Sequence, residues 1–227
     1  MKKTLYTEAA YVLGIVILAL GTALMERADF GMSMVVAPAY LVHLKVSEVL
    51  PFFSFGMAEY MLQAVLLILL SLILRKAKRT YLFSFVTAVL YGFALDGAIW
   101  AASFLPYSGM VFRIACYIAG LLLCSLGVAF FFHTYIAPEA YELFVKEIAE
   151  KHSLPISRVK TIYDCISCGA SILLSFAFFG LWHFEGVKIG TVICALVNGW
   201  IIGRISMLLN SHCQFRDGLP FRKYFLD

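Results

Sequence analysis

The sequence predicts an all-α membrane protein with six transmembrane helices, arranged as two inverted three-span repeats, each with an extra short helix after its first span. Three observations carry this expectation. Hydrophobic residues make up 62% of the 227-residue chain and charged residues only 14%, against roughly 25% charged in a soluble domain, and the mean hydropathy is +0.89. Several apolar runs approach the ~20 residues that a spanning helix needs, which excludes an outer-membrane barrel. Finally, the first half of the chain overlays on the second.

The first run, Ala9 to Met25, follows Lys2 and Lys3 as a secretory signal would. It is longer than the roughly 7–15 residues of a signal core and leads into Glu26-Arg27, so it reads as an uncleaved first span. The spans fall at roughly 9–25, 53–74, 80–104, 110–133, 158–181 and 188–209. Lys2, Lys3, Arg75, Lys76, Lys78, Arg79, Lys146, Lys151, Arg158, Lys160, Arg216, Arg222 and Lys223 all fall on one side, and only Arg27, Lys45 and Lys188 on the other. The positive-inside rule then places both termini in the cytoplasm. Two further segments, 32–46 and 137–152, are too short or too polar to span. In the second, Tyr141, Phe144, Val145 and Ile148 share a face opposite Glu142, Lys146, Glu147, Glu150 and Lys151, the pattern of a helix lying at the membrane interface.

The halves overlay with a shift of about a hundred residues. GIVILALG (14–21) matches GLLLCSLG (120–127), APAY (37–40) matches APEAY (137–141), an LP pair at 50–51 matches another at 154–155, and TAVLYG (87–92) matches CALVNG (194–199). Each half therefore holds one span, one short helix and two spans. Three spans per half invert the second copy relative to the first, as in many secondary transporters. The reading is a single membrane domain over 1–227, with repeat one at about 8–108, repeat two at about 109–212 and a cytoplasmic tail at 213–227.

The stretches GIVILALGTALMERADFGMS, TYLFSFVTAVLYGFALD and GVKIGTVICALVNGWIIG resemble the YitT/YczE-type bacterial membrane proteins. The turn Ala28-Asp29-x-Gly31-x-Ser33 and the last-span residues Gly190, Thr191, Asn198, Gly199 and Gly203 carry the resemblance, although Met34 stands where that family often has proline. The resemblance implies a bacterial inner-membrane protein with no settled biochemical activity.

Carboxylates inside apolar runs mark the candidate site, because an intramembrane charge is costly and is by default a functional hypothesis. Glu59 and Asp164 fall side by side in the overlay, each roughly 10 Å below its own surface. They read as symmetric gating or coupling groups, with Tyr60, Tyr91, Tyr163 and Asn198 offering polar contacts to a solute. Asp96 and Arg113, at similar depth in consecutive spans, read as a structural charge pair. Asp29, Gly31 and Ser33 read as a helix-end turn whose aspartate side chain caps backbone N–H groups.

The pair Cys165/Cys168 in "CISC" stands one helical turn apart beside Gly169, Ala170 and Ser171. Without a βα context it reads as small-residue packing, with both thiols on one face. The six cysteines form no disulfide framework and the five histidines no ligand spacing; no nucleotide loop or nucleophile motif occurs. No metal, cofactor or catalytic residue is expected. The expected function is a small secondary transporter or channel-like permease for a solute or ion, possible proton or cation coupling included. Its alternatives are a substrate-capture subunit of an energy-coupling-factor transporter and a non-transporting thiol or accessory protein. The expected surroundings are a lipid bilayer and no nucleic acid, and the glycine pairs fit either a homodimer or a compact monomer.

Overall fold

The structure is a computed structural model that describes residues 3–76, 78–105, 109–181, 186–220 and 222. Lys2 and Lys223, counted above for orientation, lie outside the described residues, as does His183. The described chain runs β1 (Lys3–Tyr6), α1 (Thr7–Ala28), α2 (Ala37–Ser47), α3 (Phe55–Leu74), α4 (Arg79–Ser103), α5 (Met110–Phe131), α6 (Ala140–His152), α7 (Ile156–Phe179), α8 (Ile189–His212) and β2 (Cys213–Arg216). The six helices α1, α3, α4, α5, α7 and α8 are long and apolar enough to cross a membrane. The chain is a multi-pass, all-α membrane protein. Its one sheet among the described residues was not foreseen: β1 and β2 pair in parallel from Lys3↔Cys213 to Tyr6↔Arg216, which brings the two ends of the chain to one end of the bundle.

Two spans form the centre. In α1 and α5, 50% and 61% of the apolar window is buried, against 22–39% in the other four. Glycines let these two helices touch backbone to backbone. A Cβ on Gly21 would lie 2.8 Å from Gly120 O, and one on Gly127 would lie 3.0 Å from Gly14 O. Residues 14 and 21 are the ones that the overlay matches to 120 and 127, so the two contacts exchange with each other under it. The α3–α4 crossing repeats the relation: Gly56 meets Gly92, while at α7–α8 Gly199 meets Thr161. Gly203 has open space where a Cβ would stand, so the 199–203 pair packs only through its first glycine.

The two short helices position the site. At the end of α1, Asp29 takes a left-handed conformation with φ 56° and Gly31 has φ 106°. A side chain on Gly31 would strike Thr191 and the Lys188 backbone, so only glycine lets the chain turn back here. Met32 to Ala39 are buried, and Met34 O accepts a hydrogen bond from Ser167 Oγ near the middle of α7 at 2.8 Å. From there α2 climbs along α7 until Lys45 lies over the Phe179 ring, 5.9 Å from its centroid. With 11 residues it is about 16 Å long, half a bilayer core.

The counterpart, α6, enters from the other end. Ala137 O accepts from Thr87 Oγ1 at 2.9 Å and Pro138 O from Ser84 Oγ at 2.7 Å, while Ala140 N donates to Gln63 Oε1 at 2.9 Å. Glu147, farther along, pairs at 2.6 Å with Lys78, which caps the start of α4. The expectation of a flat interfacial helix is therefore corrected: Tyr141, Glu142, Leu143, Val145 and Ala149 are buried. The reason is that α3 and α4 supply the polar groups that its non-helical entry needs, and irregular backbone at membrane depth persists only where protein encloses it. Both half-helices point their N-termini at the middle of the molecule.

Candidate functional site

Where those N-termini meet, the structure gathers its buried charge. Among the described residues, every buried Asp, Glu, Lys, Arg or His is here: Glu59 on α3, Glu139 and Glu142 at the start of α6, and Lys160 and Asp164 on α7, each at most 2% exposed. That is four carboxylates against one ammonium. Gln63 Nε2 bridges Glu59 Oε1 at 3.3 Å and Glu139 Oε2 at 2.9 Å. Lys160 Nζ lies 2.9 Å from Asp164 Oδ1 and 3.8 Å from Glu142 Oε1, ion-pair contacts neither of which completes a hydrogen bond. Tyr141 stands beside Glu59, and Asn198 beside Asp164.

The cluster is under-satisfied. Glu59 Oε2, Glu139 Oε1, Glu142 Oε2, both Asp164 oxygens and the Tyr141 hydroxyl are buried without a hydrogen-bond partner. A buried polar group left unpaired costs about 1–3 kcal/mol and a charged one more. Burial, followed by the neighbouring Glu142 and Glu59, pushes the Glu139 carboxyl well above the ordinary carboxylate range. The half-helix N-termini offset part of the charge, about half an elementary charge each. If all groups were ionised, roughly two negative charges would remain uncompensated, so protons or another cation must occupy the cluster.

A small cavity of about 20 Å³ opens against this cluster. Its polar lining comprises Thr22, Ser33, Tyr91, Cys124, Glu139, Tyr141, Glu142 and Asn198. Tyr91 OH and Thr22 Oγ1 are 2.9 Å apart, and Ser125 Oγ donates to Asn198 Oδ1 at 2.8 Å. No group of three or more His, Cys, Asp or Glu that could hold a metal ion occurs among the described residues. Of the larger cavities, the one lined by Phe30, Ile172 and Val192 is apolar, one lined by Arg158, Thr161 and Arg204 is partly polar and holds no carboxylate, and one of about 240 Å³ has Lys160 in its wall beside His133 and Ser206.

Residues 5–207 match the family of unknown function DUF6198. The chain belongs to that family. No curated protein and no solved structure matches it.

Set against the sequence, the structure brings Glu59, Asp164, Tyr91 and Asn198 to the cluster and its cavity. Tyr163 borders the cluster, its ring 5.7 Å from Lys160 Nζ and packed on Phe144 with centroids 5.6 Å apart, whereas Tyr60 packs where Gly92 crosses α3. The Asp96–Arg113 pair is corrected. Asp96 accepts from Ser54 Oγ at 2.7 Å and Gly56 N at 2.9 Å, whereas Arg113 pairs with Asp29 at 3.1 Å and donates to Ala28 O at 2.8 Å. Equal depth did not mean a shared face. The role of Asp29 is corrected with it. Its backbone ends α1, and its side chain is drawn to Arg113 and Lys188 rather than to backbone N–H groups. Ser33 does reach the cavity, and Gly31 makes the turn.

Cys165 is exposed and Cys168 buried, both free; one turn apart on α7, they straddle the edge of its packed face. Sequence reasoning missed Glu139, Glu142 and Lys160. Two signals pointed to them: the APEAY repeat of APAY adds a glutamate at a helix start, and Lys160 stands four residues before Asp164, the spacing of a helical ion pair.

Proposed function

We propose that the protein is a small secondary transporter or permease, coupled to protons or another cation, whose coupling groups are the carboxylates between the two half-helices. In this reading the halves are inverted copies, both termini are cytoplasmic and the membrane is a bacterial inner membrane. The single observation that carries the reading is the excess of buried carboxylates over ammonium, with unpaired oxygens, beside a small central cavity. Such an arrangement is costly in a merely structural core and suits a group that must take up and release positive charge. The exchanged contacts at Gly14–Gly127 and Gly21–Gly120 support inversion, because they give the halves a common pivot. Kinship with the YitT/YczE type belongs to the same proposal and rests on Ala28, Asp29, Gly31 and Ser33 and on the Gly190–Gly203 segment.

Reconstituted protein on a capacitive membrane electrode tests this. Jumps in proton or alkali-cation concentration are expected to displace charge in the native protein. Glu59→Gln/Asp164→Asn should abolish the signal while the protein stays folded, and Cys165→Ser/Cys168→Ser should retain it. Native protein that moves no charge under any of these gradients would falsify the reading.

A further inference from the structure

The central cavity has a chemistry more specific than acidity. Its lining combines two carboxylates and the Tyr141 hydroxyl at the start of α6 with oxygens from four other elements, Thr22 on α1, Ser33 on the turn before α2, Tyr91 on α4 and Asn198 on α8, and with one thiol, Cys124 on α5. Glu139 uses Oε2 to accept from Gln63, and Glu142 has Oε1 nearer Lys160. That leaves Glu139 Oε1 and Glu142 Oε2, both buried and both without a partner, on residues that line the cavity. Its volume of about 20 Å³ admits one water or one bare ion, since a water needs roughly 10–15 Å³.

Oxygen donors, which outnumber the single Cys124 thiol in the lining, favour a hard cation. Magnesium keeps several waters, for which there is no room. Calcium takes 6–8 oxygen ligands, a number that the two free carboxylate oxygens with Thr22, Ser33, Tyr91, Tyr141 and Asn198 also reach, so charge decides between it and a monovalent ion. Of the roughly two negative charges left uncompensated, one is removed when a single carboxylate of the cluster holds a proton; a monovalent ion then completes the balance, and a divalent one exceeds it.

We propose that this cavity is a binding site for a dehydrated sodium- or lithium-sized cation, held between the carboxylates of Glu139 and Glu142 with Asn198 and the hydroxyls of Thr22, Ser33 and Tyr91 around it. The site deepens the transport reading above by naming a coupling ion. It also assigns a purpose to two glutamates at the start of one half-helix, on which the residues of both halves converge.

Thermal unfolding of the purified protein at pH 8 and fixed ionic strength, titrated with NaCl, LiCl, KCl or choline chloride, is the test. The midpoint should rise and saturate with sodium or lithium but not with potassium or choline. Glu139→Gln and Glu142→Gln should each raise the half-saturating sodium concentration tenfold or more. If either fails to fold, Thr22→Val, which removes one hydroxyl and keeps the volume, should still raise it several-fold. Equal responses to all four salts, or an unchanged sodium response in the folded variants, would overturn the site. Sodium binding without ion-driven charge movement would keep the site and remove the transport reading. Charge movement driven by protons alone, with no sodium response, would do the reverse.

Discussion

The α1–α5 crossing and the acidic cluster adjoin through the central cavity, whose lining takes Thr22 from α1 and Cys124 from α5, yet they are built from opposite chemistry. Gly21 belongs to the crossing and Thr22, the next residue, to the cavity lining; Cys124 and Ser125 sit between Gly120 and Gly127. At the crossing, backbone meets backbone, and the side chains of Leu18, Met25, Cys124 and Phe131 close tightly around the glycines. In the cluster, long polar side chains face one another with acceptors to spare. The difference separates a part that fixes geometry from a part that stays responsive. A tight apolar crossing has one arrangement, whereas an under-satisfied charged network gains from any ligand or proton that completes it.

That contrast can be broken in three ways. The largest effect is expected from Lys160→Met, which leaves Asp164 and Glu142 without their ammonium. It should cost about 3–5 kcal/mol, read as a fall in the unfolding midpoint, and adding Asp164→Asn should recover much of it. A double variant no more stable than the single would show that Lys160 acts outside the cluster.

Next is Gly21→Leu, whose side chain would meet the Cys124 and Gly120 backbone. Overpacking of about 1–3 kcal/mol or more should lower the midpoint at every pH and in every salt, unlike any cluster variant. A native midpoint would mean that the crossing yields.

The smallest effect separates the regions by pH. The Glu139 carboxyl is raised in the folded state, so the folded chain holds its proton longer than the unfolded chain does. Stability from this group is full below the unfolded value of about 4.3 and is lost as pH rises toward the folded value, by at most about 1.4 kcal/mol per pH unit. Glu139→Gln should therefore flatten the alkaline fall in stability, while Gly21→Leu leaves its slope alone. Parallel slopes in native and Glu139→Gln protein would place the titration elsewhere.

Spans and glycine contacts were legible in the sequence because length and repetition survive without knowledge of neighbours. Glu59 and Asp164 were legible because a carboxylate in an apolar run has few innocent explanations. The same logic failed for Glu142 and Lys160. A polar helix face looks the same whether it meets water or another polar face, and residue 142 sits on a helix that reads as amphipathic. Lys160 was counted as a loop charge because it lies one turn from the loop end, yet it turns inward at 1% exposure. Asp96 and Arg113 failed for a different reason: sequence gives depth along a helix, whereas partners are set by rotation about it. The strands were too short for any period, since β1 and β2 hold four residues each.

Those strands have a consequence for how the chain is made. Lys3 pairs with Cys213, and Glu8 accepts hydrogen bonds from Gly218 N and Leu219 N at 3.0 and 2.9 Å. β1 is thus made before the six candidate spans and β2 after them. Closing so long a loop carries an entropy cost that grows only slowly with length, so the clasp can form late without being weak. It fastens the start of α1 to the end of α8, and a polypeptide that stops before β2 leaves β1 without its strand partner, an unpaired edge open to other chains.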